Sequence, residues 1–408
     1  MKQTLWNKSF TIITLGSAVT MLGHAISGFA ISLLVLDYTN SVLLYSLYLV
    51  AYYLPMVVMP MLAGPWVDNF SRVKVIYLLD FLAAGLYLAA WFLIRNGWFQ
   101  YGPLLLGVLL IGAIDGVYLV AYDSLYPNLI SEGNYTRAYS VSSMLQPLAE
   151  AITPLASLIY LRVGIAPLFL ADAALFFVAA CFETQIEAPE EYRVGKPARR
   201  DARYMLEELK QGLGYLRGEP GLLCITAYFF CNFFCGSGAR TLWLPYFKSA
   251  ASLGVMTYTV VQSAMLIGRF LGGLVQYRLK YPARWKYAIA VTVYISICFL
   301  EGAALFTHKY VMILLLFVSG MLAVTSYNIR VSTTQCYVPN GWRGRFNGAF
   351  QMTTNLGNIG GTLVAGALGS LLPARGLVAG FMVVNLITVF AIMLPGRAHV
   401  SRIYNQDI

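Results

Sequence analysis

Twelve long apolar segments run along the chain, separated by short polar turns. They span Phe10–Leu36, Ser41–Trp66, Val75–Ile94, Tyr101–Tyr126, Tyr139–Leu161 and Ile165–Phe182, then Gly221–Phe247, Ser252–Tyr277, Tyr287–Phe306, Tyr310–Tyr337, Phe346–Leu371 and Gly376–Leu394. Each approaches or exceeds the roughly 20 residues a helix needs to cross a hydrocarbon layer. Lipid offers the backbone no hydrogen-bond partners, so such segments must be helical. The pattern predicts an all-α polytopic membrane protein with twelve transmembrane helices.

One long polar stretch, 183–220, interrupts the series. Within it Leu206, Leu209, Leu213 and Leu216 recur at helical spacing, while Glu207, Glu208, Lys210 and Arg217 take other faces. This predicts an amphipathic helix on the membrane surface. It divides the chain into a six-helix half (1–182), a linker (183–220) and a second six-helix half (221–408). The halves echo one another. The fourth segment ends in Tyr126-Pro127-Asn128, with Arg137 before the next; the tenth ends in Tyr337-Val338-Pro339-Asn340, followed by Arg343 and Arg345. Parallel six-helix repeats about an axis normal to the membrane are a transporter architecture.

Composition agrees: 59% of residues are hydrophobic and 11% charged, against about a quarter charged in soluble domains. Threading the segments from one side puts twenty of the 28 Lys and Arg with both termini and residues 183–220. Five fall on the other side, and Arg240, Arg269 and Arg330 lie within segments. That bias orients the termini to the cytoplasm. The net charge of +10 then reflects topology and anionic lipid, not nucleic acid. The first segment is too long for a cleaved signal and lacks a small-residue cleavage site. The six cysteines all fall in apolar segments, and Cys231 and Cys235 read as packing residues. No metal-ligand cluster and no phosphate-binding loop is present, so neither cofactor nor nucleotide is expected. No convergent catalytic constellation marks an enzyme.

The turn after the second segment reads Gly64-Pro65-Trp66-Val67-Asp68-Asn69-Phe70-Ser71-Arg72-Val73-Lys74. It resembles the signature Gly-x-x-x-Asp-x-x-x-Arg-x-Lys of the major facilitator superfamily, in the corresponding turn. Gln211–Arg217, Gly344-Arg345-Phe346-Asn347-Gly348 and Asp80 resemble the drug-efflux branch typified by macrolide exporters. The resemblance implies two pseudo-symmetric halves, alternating access, and a cytoplasmic latch formed by Gly64, Asp68, Arg72 and Lys74, with Asp123 as the candidate partner of Arg72. An anion at a helix C-terminus, as Asp68 would be, needs such partners. Two features depart from the family. Ile111 stands about where the fourth helix often carries Arg, and Thr153-Pro154-Leu155-Ala156-Ser157 keeps the proline of the antiporter motif without its flanking glycines.

Ionisable groups deep in a bilayer are functional candidates, since each costs roughly 2.5–3.5 kcal/mol to insert. Ser143, Gln146, Glu150, Thr153 and Ser157 form one polar face of the fifth segment. Glu150 and Asp115 are the foremost candidates for a coupling proton or cation, with His24 a third. Arg240, Glu301 and Asp172 are expected near the outer surface, snorkelling to water. Tyr48, Tyr52, Tyr118, Tyr122, Gln146, Arg330, Gln351, Asn355 and Asn358 are candidates to line a substrate cavity. Gly357 and Gly361 are expected to permit close helix contact. The expected activity is proton-coupled efflux of amphipathic or drug-like small molecules by a single chain in a plasma membrane (the bacterial inner membrane). Uptake or exchange of a metabolite on the same fold is the alternative, and a membrane enzyme or receptor the third reading.

Overall fold

Asn7 starts the first helix. Its side chain accepts a hydrogen bond from the Phe10 amide at 2.7 Å and so caps α1 (Lys8–Thr39). α1 ends at Asn40, whose left-handed backbone (φ 47°) returns its N–H to the Leu36 carbonyl. Asparagine tolerates that conformation, so the chain reverses directly into α2 (Val42–Val67). The computed structural model of the protein describes residues 6–67, 70–98, 100–131, 138, 141, 142, 145, 149, 153–187, 202–250, 253–278 and 281–406.

The further helices are α3 (Arg72–Arg95), α4 (Tyr101–Leu125), α5 (Thr153–Val163), α6 (Ala166–Glu183), α7 (Ala202–Gly218), α8 (Pro220–Ser249), α9 (Gly254–Arg278), α10 (Lys286–Ala304), α11 (Lys309–Tyr337), α12 (Asn340–Gly369), α13 (Ala374–Thr388) and α14 (Arg397–Tyr404). Ten helices among the described residues are long and apolar enough to cross a membrane. Two expected segments are absent from that set. The eleventh is helical throughout α12, but Arg343, Arg345, Asn347, Gln351, Asn355 and Asn358 reduce its apolar character. The fifth is described only from Thr153 onward, apart from isolated residues before it.

The chain forms two compact units: Met1–Asn40 with Tyr48–Met205, and Ser41–Leu47 with Leu206–Ile408. In the first, α1 packs on α5 and α6, and α3 on α4 and α6. α4 approaches α2 at Gly112 and Gly116, where an added Cβ would sit 2.2 Å from the Tyr52 carbonyl oxygen and 2.9 Å from Met59 Cβ. In the second, α8 packs on α12 and α13, and α10 on α11 and α13. There α9 and α11 meet at Gly268, Gly272 and Gly320, with backbone carbonyls 2.1–2.7 Å from each would-be Cβ. Gly357 and Gly361 of α12 lie against the Phe230 and Phe234 carbonyls of α8 at 2.6 and 1.9 Å by the same measure. Small residues four apart thus let backbones touch, as association in lipid requires. The same helix pairs recur in order within each unit.

α7 is helical as its leucine spacing predicts. Leu216 is buried among Leu222, Ile225, Tyr228 and Tyr287, and Tyr215 stacks on Trp342 with ring centroids 4.9 Å apart. The helix is therefore partly docked on the second unit. Glu219, between α7 and α8, accepts a hydrogen bond from the Tyr337 hydroxyl at 2.9 Å.

Candidate functional site

The inward stripe of α3 runs Ile76, Asp80, Ala83 and Tyr87, all buried, at spacings of three and four. That of α6 runs Phe169, Asp172, Phe176, Ala180 and Glu183 in the same rhythm. α4 adds Asp115 and Tyr118, and α1 adds Thr20 and His24. These positions bring four carboxyl groups and one imidazole into the first unit.

His24 Nε2 lies 3.6 Å from Asp115 Oδ1, and the Tyr52 hydroxyl donates to Asp115 Oδ2 at 2.9 Å. Asp115 is 8% exposed and the His24 side chain 29%, so one partner of this pair is accessible and the other is not. His24 meets the Phe176 ring edge-on at 5.1 Å, and Phe176 stacks on Tyr87. Gly23, beside His24, makes room for that ring, because a Cβ there would lie 2.7 Å from Phe176 Cε2. Thr20 Oγ1 donates to Asp80 Oδ2 at 2.9 Å, and the Tyr118 hydroxyl to Glu183 Oε1 at 3.1 Å. Tyr118, Tyr122 and Tyr126 form a stacked ladder down α4.

Two sequence expectations are overturned here. Asp172 does not snorkel: it is fully buried, and neither carboxyl oxygen has a hydrogen-bond donor among the described residues. Glu183 does not belong to the polar surface of the linker; it is the buried last residue of α6. The signal for both was their place on the apolar stripe with Phe169 and Phe176. Of the other two residues assigned to the outer surface, Arg240 is exposed, while Glu301 is half-buried and accepts from Ser319 Oγ at 2.7 Å.

The remaining candidates divide between the units. Tyr48 in the first is buried, its hydroxyl 3.4 Å from the Gly28 carbonyl. In the second, the Arg330 guanidinium sits over Phe350 at 4.5 Å, Phe229 at 5.0 Å and Tyr327 at 5.4 Å, so aromatic rings receive the cation. On α12, Gln351 donates to the Asn355 side chain at 3.3 Å, and Ser237 Oγ donates to the Asn358 carbonyl at 2.9 Å. Within the latch motif, Ser71 caps α3 by accepting from the Lys74 amide at 3.2 Å, which fixes Arg72 as the first residue of that helix. Arg72 is half-buried, and Lys74 and Asp123 are exposed. Gly64 lies in α2, whereas Asp68, Gln146 and Glu150 lie outside the described residues.

An isolated charge in such a core costs on the order of several kcal/mol. Carboxyls arranged with hydroxyls and an imidazole can instead take up and release protons, which suits a machine that couples proton movement to something else.

Residues 13–362 match the family described as Major Facilitator Superfamily. Macrolide efflux protein A of Streptococcus pyogenes is 24% identical over 283 residues, covering 67% of this chain and 68% of that protein. An uncharacterized MFS-type transporter of Bacillus subtilis (strain 168), YkuC, is 21% identical over 329 residues, 78% of this chain and 74% of its own. The crystal structure of the nucleoside transporter NupG aligns with a TM-score of 0.72 at 14% identity, over 95% of this chain and 99% of that one. That likeness shows the fold alone. The doubled helix pattern and the family match together place this multi-pass membrane protein in the Major Facilitator Superfamily of transporters.

Proposed function

We propose that the protein is a proton-coupled exporter of amphipathic, drug-like molecules. It works in the bacterial inner membrane with both termini and residues 183–220 cytoplasmic. The observation that carries the coupling is the contact of His24, Asp115 and Tyr52. An imidazole facing a carboxylate forms an ion pair when protonated, and when that proton leaves the pair carries a net negative charge. Asp115 and His24 exchange the coupling proton in this reading, and Glu150 is the competing carrier. Export is supported by the similarity to macrolide efflux protein A, and the cytoplasmic placement of the termini by the twenty-to-five basic bias.

In this reading transport proceeds by alternating access. Tyr48, Tyr52, Gln146, Tyr118 and Tyr122 from one half, with Arg330, Gln351, Asn355 and Asn358 from the other, are assigned to the substrate path. Aromatic surfaces of this kind suit bulky apolar molecules. Gly64, Asp68, Arg72, Lys74 and Asp123 are assigned to the cytoplasmic latch.

Flux of a macrolide and of a fluorescent lipophilic cation into proteoliposomes, under an imposed pH gradient, tests the reading. Substrate moving against the direction of proton flow is expected. Substrate moving with the proton would make the protein an uptake system, and flux indifferent to the gradient would remove proton coupling altogether.

A further inference from the structure

The proposed exchange at His24 and Asp115 leaves two buried acids unused. Asp80 is 1% exposed and Glu183 0%. They come from different helices, α3 and α6, and their carboxyl groups lie close enough to act on each other. Each also accepts one hydroxyl, from Thr20 and Tyr118 respectively. Neither forms an ion pair among the described residues.

Two ionised carboxylates are acceptors only, so they cannot hydrogen-bond one another. Like charges in contact away from water also repel strongly. Glu183 Oε2 is buried and has no donor among the described residues. A donor is therefore missing at the place where two acceptors meet. One proton supplies it. A metal ion fits less well. Both nearby hydroxyls donate toward the carboxylates, and α1 closes one side at Gly16, where a Cβ would lie 2.9 Å from Glu183 Oε1 and 3.0 Å from its Cγ.

We propose that Asp80 and Glu183 form a proton-binding site that holds one shared proton, separate from the His24–Asp115 pair. The groups around it are Thr20 and Gly16 on α1 and Asp115, Tyr118 and Tyr122 on α4. None is a cation. Asp115 lies close enough for its charge to act on Asp80, and His24 reaches the pair through Asp115. A proton arriving at Asp115 removes a negative charge beside Asp80 and eases loss of the shared proton. The two sites are thus linked electrostatically. Glu183 is the last residue of α6, so ionisation there repels Asp80 at the helix end that leads into residues 183–220.

Infrared difference spectroscopy on the purified full-length protein tests this without any transport measurement, so its failure and that of the export reading are separable. The spectra are read in an Asp172→Asn background, which removes the other buried carboxyl without a donor among the described residues; at neutral pH that protein is expected to show a deuterium-sensitive carboxylic-acid C=O band. Both Glu183→Gln and Asp80→Asn are expected to lose it, because each supplies an amide donor to the partner carboxylate; Asp115→Asn should keep it. A band that survives both substitutions, or one abolished by sodium chloride at constant pH, overturns the proposal, the latter in favour of a cation site. Thermal midpoints provide the second measurement. The wild type should lose stability as rising pH strips the shared proton, and Glu183→Gln should be flatter over the same range. Equal slopes in the two proteins would also overturn it.

Discussion

The inward faces of α3, α4 and α6 carry Asp80, Asp115, Asp172 and Glu183, all buried. The helices that occupy the same places in the second unit, α10, α11 and α13, carry Tyr287, Tyr294, Cys298, Ser319, Phe381 and Asn385 there. No carboxylate is buried among the described residues of the second unit. Two of its buried polar contacts are between neutral groups: Tyr294 and Tyr404 share a hydrogen bond at 3.1 Å, and the Tyr287 hydroxyl donates to the Met393 carbonyl at 2.7 Å. The glycine seams nonetheless recur in both units. Architecture is repeated, then, while buried carboxyls are confined, among the described residues, to one copy. A fold does not fix a function; side chains placed on it do. A rocking transporter needs two bodies of similar build, but proton exchange needs only one of them to change charge.

The largest test of that division compares acids across the units. For one proton exchanged, a gradient of about one pH unit sustains roughly a tenfold substrate ratio. Asp115→Asn is expected to collapse that ratio to unity in proteoliposomes while downhill exchange continues. Glu301→Gln, which replaces a half-buried acid of the second unit held by Ser319, should leave it intact. Loss in both variants, or in Glu301→Gln alone, would end the claim that coupling chemistry belongs to the first unit.

Glycine seams should behave alike in both units. Gly112→Ala and Gly361→Ala place a Cβ 2.2 and 1.9 Å from backbone carbonyl oxygens. Overpacking of this kind costs about 1–3 kcal/mol, and equilibrium unfolding in detergent should show it. Gly85→Ala and Gly273→Ala meet nothing within 4 Å, and helix propensity alone should make them neutral or stabilising by up to ~1 kcal/mol. A large effect in one unit only would mean that the shared packing is nominal.

Smaller still is the effect expected at Arg330, the cation that the second unit holds with rings. Arg330→Lys keeps the charge but loses the planar stack on Phe350 and Phe229. A decrease of about 0.5–1 kcal/mol in unfolding free energy is expected. Equal stability would show that the aromatic faces contribute packing without cation recognition.

The helices were legible because continuous apolar runs of spanning length admit one backbone solution. Asp115 was legible from depth alone, and the Gly357–Gly361 seam from its spacing. Asp172 and Glu183 were misjudged because distance from a segment end was read as proximity to water. What decides their burial is the stripe they share with Phe169 and Phe176, which points them at α1 and α3. His24 was visible, but its partner could not be, since meeting Asp115 requires α1 and α4 to be neighbours. Arg330 shows the same gap: Tyr327 is its neighbour on α11, but Phe229 and Phe350 belong to α8 and α12 and meet it only in the folded chain.

The smallest effect is expected where the chain tethers of the two units differ. In the first, Lys8 and Glu187 pair at 2.7 Å, with side chains 63% and 80% exposed, and the Glu187 amide donates to Ser9 Oγ at 3.2 Å. In the second, the Tyr337 hydroxyl donates to Glu219 at 2.9 Å. The hydrogen bond and charge of Lys8 hold the Glu187 carboxyl below its usual range. A carboxyl lowered in the folded state stabilises the contact above the ordinary carboxylate range and loses that contribution as pH falls through its own value. Water and salt screen so exposed a pair, so Lys8→Ala should leave the thermal midpoint unchanged. Hydrogen exchange is the sensitive readout. Residues 183–187 should exchange faster in Lys8→Ala, in acid or at high salt, relative to each amide's intrinsic rate, while residues 216–223 around Glu219 should not respond. If both segments respond together, the tethers are coupled and the units are less independent than their cores indicate. If neither responds, the Ser9 hydrogen bond holds the end of the first unit without help from the ion pair.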